Sequence, residues 1–163
     1  PEPPGLVASI KTTAMFKPDL TEAQAGAAKQ FVDAVATMSE SLASDNLEGF
    51  NGSVSRTLPA LQAFLNSLPS GHPWHAKLDT IVSTGKMAPA GDLAEARKRF
   101  LPFSAATSEF VRAVRRQVEA LKEVKLYRCP MAPQPGFWIQ TSGPLRNPYF
   151  GAEMLDCGME ISP

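Results

Sequence analysis

The chain changes character at Glu123, and that change limits what it can fold into. Before it, apolar residues recur at spacings of three and four. Such a period places one apolar stripe on each of several helices, and those stripes must be buried against one another. From Glu123 to Pro163 the period vanishes, and Pro, Gly and aromatic residues take over. That composition opposes a continued helix. It also holds too many aromatic residues for a disordered segment, so the tail is expected to fold back on the helices.

Four helical segments are read from the period and from end signals. The first is predicted over 21–42, where Thr21 and Gln24 form a capping-box pair and Ala28, Phe31, Val32, Val35, Met38 and Leu42 form the stripe. Asp45-Asn46 supplies a turn and the next cap. The second is predicted over 47–68, with a kink or break near Arg56 because Pro59 lies inside it. A shorter one is predicted over 74–83, followed by a loop over 86–91. The fourth should start at Asp92, with Glu95 as its capping partner, and continue through Phe100, Phe103, Phe110, Val114 and Val118 to Leu121. Pro102 is expected to bend it. The fold class is therefore mainly α: an antiparallel bundle of three or four helices with an irregular Pro/Gly/aromatic tail packed on it.

Length allows one ordinary domain, since the chain has 163 residues. Residues 1–20 read as a linker or extended arm, opening Pro1-Glu2-Pro3-Pro4-Gly5, with Leu6 to Ile10 a possible short strand. Residues 21–163 read as a single helical-bundle domain that includes the Cys/Met tail, 124–163. The opening residues suggest a processed protein or an excised domain. Within the tail, Lys125 to Arg128 and Phe137 to Gln140 are candidate strands.

Sixteen basic residues balance sixteen acidic ones. A nucleic-acid binder needs a basic surplus to neutralise phosphates, so none is expected as a partner. No apolar run reaches the length of a membrane span. Arg97, Lys98, Arg99, Arg112, Arg115 and Arg116 share the fourth helix and read as a solvated face. No phosphate loop, dinucleotide motif or hydrolase elbow is present, and no histidine is placed beside a cysteine, so no enzymatic activity is expected. His72 and His75, in Gly71-His72-Pro73-Trp74-His75, read as helix-start residues, with a second, weaker metal site as the other possibility.

The chemistry lies in the tail. Both cysteines, Cys129 and Cys157, are there, each with a methionine nearby. Pro130 restrains Cys129 toward extended backbone, in which Cys129 and Met131 point the same way. Asn147 and Pro148 are a good helix start and Gly158 a good stop; a helix over 148–157 puts Met154 and Cys157 on one face. Two thiolates and two thioethers form a soft ligand set, which selects Cu(I), or chemically similar Ag(I), over hard cations. Met159 is a possible extra ligand. The other reading is a Cys129–Cys157 disulfide that closes a long loop, stabilising by roughly 2–4 kcal/mol, with the methionines as core filler. Spacing leaves both open.

The tail also resembles a known pattern. Leu126-Tyr127-Arg128-Cys129-Pro130-Met131-Ala132, then Trp138, then Leu145 to Gly158 with Asn147-Pro148-Tyr149, Met154 and Cys157-Gly158, is similar to the C-terminal helical domain of CusB-like periplasmic adaptor proteins of heavy-metal efflux pumps. That domain also occurs as a stand-alone exported protein. Arg97 to Ser104, with Phe100 and Phe103, is similar to a helix of the same family. The resemblance covers about residues 21–158. It implies binding of Cu(I) or Ag(I) in the bacterial periplasm, linked to export by a larger membrane-associated adaptor. The implied ligands are Cys129, Met131, Met154 and Cys157, and the implied partners are efflux-pump or adaptor subunits. Arg128 is a departure, since many members carry a less basic residue there, and 133–144 is rearranged. If the cysteines are instead a permanent disulfide, the implied role is a structural or interaction module of the efflux complex.

Overall fold

Three of the four helices among the described residues start on a side-chain cap, and those caps fall where the sequence signals put them. The computed structural model of the protein describes residues 20–161, so the strand considered at Leu6 to Ile10 and nearly all of the arm lie outside it. Helix α1 spans Glu22–Ala43. Thr21 Oγ1 accepts from Gln24 N and Gln24 Oε1 accepts from Thr21 N, which completes the capping box. Helix α2 spans Leu47–Ser67 and opens on Asn46, whose Oδ1 accepts from Gly49 N. It runs unbroken through Pro59, so of the kink or break expected near Arg56 the break does not occur. A proline removes one ladder bond, and burial of Phe50, Val54, Leu61 and Phe64 along the same face outweighs that loss.

Helix α3 spans Trp74–Gly85. Helix α4 spans Leu93–Val114 and also continues through its proline, Pro102. Asp92 caps α4 by accepting from Glu95 N, while Glu95 reaches back to the amide of Gly91. The helix ends seven residues before Leu121, the expected end. Arg115 turns back there, and its guanidinium donates to Val124 O at 2.8 Å in a buried position. Val118 and Leu121 stay in the core on a turn and a single 3₁₀ turn. A spacing of three or four serves those turns as well as a helix, which is why the period overran.

The four helices share one core. Phe31, Phe50, Phe64, Phe100 and Phe103 are fully buried, each contributing about 1.5–3 kcal/mol of burial free energy. Phe64, Trp74 and Phe110 form an edge-to-face cluster joining α2, α3 and α4. No helix among the described residues is long and apolar enough to cross a membrane.

The tail is more regular than its composition suggests. Strands β1, Lys125–Arg128, and β2, Phe137–Gln140, pair antiparallel, with Leu126 opposite Ile139 and Tyr127 opposite Trp138. Strand β3, Met159–Glu160, adds to the other edge of β1, giving the order β2-β1-β3. Trp138 and Ile139 are both buried, so β2 is covered on both faces.

The tail is fixed to the helices through Arg97. Its Nε donates to Pro148 O at 2.8 Å, and its Nη2 donates to Leu42 O at 2.8 Å and to Asp45 Oδ1 at 2.6 Å. Asp45 sits at φ 54, and its other oxygen accepts from Ala152 N. Arg97 holds the Asp45 carboxyl below its ordinary range. The fit leaves no room at Gly151, φ 56, where a Cβ would overlap the Asp45 carboxylate and lie 2.6 Å from Arg97 Nη2. The basic cluster on α4 is thus not one solvated face: Lys98, Arg112 and Arg116 are exposed, whereas Arg97 and Arg115 hold backbone carbonyls.

Replacing Arg97 by Ala strands Pro148 O and removes the charge partner of Asp45, while Leu42 O keeps the amide of Asp45. It should lower unfolding free energy by about 2–3 kcal/mol in urea denaturation, with Arg97→Lys recovering less than half because an ammonium cannot span the fork.

Candidate metal centre

Strand β1 delivers Cys129 to the interior, where it is fully buried. Beyond it the chain turns at Pro130 and Met131 and returns, so that Cys129 N donates to Gly136 O at 2.9 Å. Gly136 has φ 61, and a Cβ there would lie 2.7 Å from Cys129 O. Only glycine closes this turn without displacing the cysteine. Cys129 shares the core with a group of aromatic side chains. Trp138 lies 5.4 Å from Tyr127 and 6.2 Å from Tyr149, ring to ring. The Tyr149 hydroxyl and the Ser104 hydroxyl both donate to Phe137 O. Burial pushes the Tyr149 phenol far above its ordinary value, and nearby Cys129 adds in the same direction.

Cys157 is brought in by Asn147. This side chain is fully buried. Its Nδ2 donates to Cys157 O at 2.7 Å, and its Oδ1 accepts from Tyr149 N at 2.8 Å and Phe150 N at 3.3 Å. Its backbone N donates to Leu155 O at 2.8 Å. Asn147 thus performs the expected capping, but the helix expected over 148–157 does not follow. Gly151 at φ 56 breaks from helical backbone, and a turn leads into a 3₁₀ turn, Gly151–Glu153. Cys157 N then donates to Met154 O at 3.1 Å, so Met154 and Cys157 are the ends of a tight turn instead of neighbours on a helix face.

The result is a thiol pair. Cys129 Sγ and Cys157 Sγ lie 3.9 Å apart although the residues are 28 apart in sequence. Both are free thiols. Two sulfurs at this separation can each sit about 2.3 Å from one ion, the usual length of a metal–thiolate bond. A disulfide needs about 2.05 Å, so the two sulfurs would have to approach further to form one. Burial raises the Cys157 thiol above its ordinary value, and the hydrogen bond and charge of Cys129 act in the same sense.

The methionines are placed differently from one another. Met154 is half-buried. Met131 is 64% exposed, whereas Cys129 is fully buried, so these two do not share a side as expected. The physical reason is the turn at Pro130–Met131, which replaces the extended backbone that Pro130 suggested. Met159 is 55% exposed. Arg128, beside Cys129, donates to Gln134 Oε1 across the turn.

The histidines stay at the start of α3. His72 Nδ1 accepts from Trp74 N at 3.1 Å, and His75 Nε2 donates to Pro69 O at 3.1 Å. Burial lowers the His72 pKa, with His75 adding to the effect. No group of three or more His, Cys, Asp or Glu converges among the described residues, so any soft-metal site here rests on the thiol pair and thioethers.

Two positioning residues escaped sequence reasoning. One is Asn147 in its role as the tether of Cys157. The other is Gln140, whose Oε1 accepts from Trp138 Nε1 and Arg146 N and whose Nε2 donates to Pro144 O. Both are buried polar residues among Pro and aromatic neighbours, a setting in which a polar side chain must find partners. Comparison with known proteins gave no matching family model, no matching curated protein and no matching solved structure.

The raised Cys157 thiol has a pH consequence. The unfolded chain releases this proton near the ordinary thiol value of 9.0, before the folded chain does. Its contribution is complete below that value and is lost as pH rises through the folded value. Denaturation of the reduced protein should therefore show a fall in stability above about pH 9 that is smaller in Cys157→Ser.

Proposed function

We propose that the chain binds a soft monovalent metal ion, Cu(I) or Ag(I), as cargo at Cys129 and Cys157. The observation that carries this reading is the approach of the two thiols to 3.9 Å. They come from opposite ends of the tail and are held by separate devices, the Gly136 turn for one and Asn147 for the other. Thiolates and thioethers prefer such ions over hard cations. Met154, at the other end of the Cys157 turn, is the thioether that would complete the shell, with Met131 reaching it only if the exposed turn after Cys129 rearranges. The resemblance of the tail to the C-terminal domain of CusB-like adaptors supports the same reading. By that resemblance the site works in the bacterial periplasm, in an antiparallel bundle joined through its N-terminal arm to an efflux adaptor. The ion would pass to pump or adaptor subunits by ligand exchange. The role is binding and delivery, without catalysis.

The same thiol approach favours a second reading, in which Cys129 and Cys157 form a disulfide and the domain is an interaction module of the efflux complex. Mass spectrometry of the unreduced protein separates the two, since a disulfide lowers the mass by two hydrogens.

Anaerobic titration of the reduced protein with Cu(I), against a chromogenic chelator, should give about one tightly held ion per chain, with affinity falling as pH is lowered because thiols must lose protons. The double variant Cys129→Ser/Cys157→Ser should bind at least about a hundredfold more weakly. Equal binding by that variant overturns the metal reading.

A further inference from the structure

The two thiols differ in access. Cys129 is fully buried, whereas Cys157 is half-buried and follows the exposed Asp156. Gly158 packs closely on the end of β1: a Cβ there would lie 2.7 Å from the Trp138 ring and 3.3 Å from Arg128 O. That packing and the bond from Asn147 Nδ2 to Cys157 O hold the backbone of Cys157 in place. A reagent from solvent therefore meets Cys157 first, and the second thiol lies 3.9 Å from the first.

Thiol–disulfide exchange needs this combination. A thiolate attacks a disulfide to give a mixed disulfide, and a second thiol within reach displaces the remaining half. An accessible cysteine beside a resolving one is the arrangement of redox-responsive sites. Here both cysteines are free thiols, so both steps are open to them.

We infer that Cys157 is the entry thiol and Cys129 the resolving thiol of a pair that exchanges with small disulfides, and that this exchange turns the metal site off. The switch rests on the metal-binding reading above; the order of the two thiols does not. In the first step Cys157 gives its proton to water and its thiolate attacks one sulfur of the small disulfide. A bond forms from Cys157 Sγ to that sulfur, the reagent's S–S bond breaks, and one half leaves as a thiolate that takes up a proton. In the second step Cys129 gives up its proton and attacks Cys157 Sγ, and the other half leaves as a thiol. The two sulfurs close from 3.9 Å to about 2.05 Å. The pair loses two electrons, and the small disulfide gains them as it becomes two thiols. A sulfur held in a disulfide is no longer a thiolate and cannot hold the ion as one. A bound ion in turn occupies both thiolates and blocks the first step. Excess small thiol reverses both steps.

The test uses hydroxyethyl disulfide, an uncharged reagent that Asp156 neither attracts nor repels. Mass spectrometry follows its reaction with the reduced parent, Cys129→Ala and Cys157→Ala. The parent should lose two hydrogens without accumulating an adduct. Cys129→Ala should stop at an adduct of half the reagent, and Cys157→Ala should react about a hundredfold more slowly or worse. Limiting alkylation of the reduced parent, located by peptide mapping, reads the order without any substitution, and Cys157 should be labelled first. Labelling of Cys129 first or at an equal rate overturns the inference, as does a parent that stops at the adduct. The oxidised parent should bind Cu(I) at least about a hundredfold more weakly than the reduced one, with dithiothreitol restoring uptake. Equal binding by the oxidised parent overturns the switch. Failure of the reduced parent to take up Cu(I) at all sinks the metal-binding reading and the switch with it, while the order of the thiols stands or falls on the labelling.

Discussion

The guanidinium of Arg97 joins three parts of the chain at one point of the fold. It lies on α4, takes the terminal carbonyl region of α1 at Leu42 and the connecting turn at Asp45, and holds Pro148 of the tail. Charge-assisted bonds of this kind are about twice as strong as neutral ones. The tail needs such an anchor. Its strands are four, four and two residues long, too short to stand as an independent sheet. Once Pro148 is fixed, Asn147 is fixed beside it, and Asn147 holds Cys157. Arg146 extends the same seam, bonding Glu40 and Ser44 on the end of α1.

Two kinds of order therefore meet at the thiol pair. The helices are held by burial of large side chains, which is strong and non-directional. The tail is held by polar groups inside an apolar setting: Asn147, Gln140, Ser104 and Tyr149 each satisfy backbone groups that would otherwise be buried unpaired. Directional bonds fix positions more finely than packing does. A pair of sulfurs from distant parts of a chain needs that finer control, because an ångström of slack separates contact from none.

The helical half was legible because its signals are local. Thr21 with Gln24, Asn46 and Asp92 each act within three residues, and the caps form at those residues. The overrun of α4 came from a long-range bond, Arg115 to Val124 O, which no periodicity displays. The candidate strands at Lys125–Arg128 and Phe137–Gln140 are strands, but β3 is too short to leave a pattern. At the thiol pair, the proximity of Cys129 and Cys157 came from reading the tail as a folded unit. The alignment of each cysteine with its methionine is not legible in local backbone preference, because turns replace the extended and helical backbone at both places. Gly151 has no Cβ to clash, and its positive φ, set by the space Asp45 and Arg97 occupy, overrode the helix that Asn147-Pro148 began. Likewise the basic residues of α4 look alike in sequence, and only the fold separates the solvated ones from Arg97 and Arg115.

The 28-residue separation of the two thiols also orders events in time. A chain is made from its N-terminus, and folding units form as they emerge. The four helices and Cys129 exist before Cys157 has been added. For that interval Cys129 has no sulfur neighbour, and Trp138 and Tyr149 are themselves added after it, so the pair is complete only when the tail has closed over the helices. The thiol pair thus reports that the tail has closed on the helices.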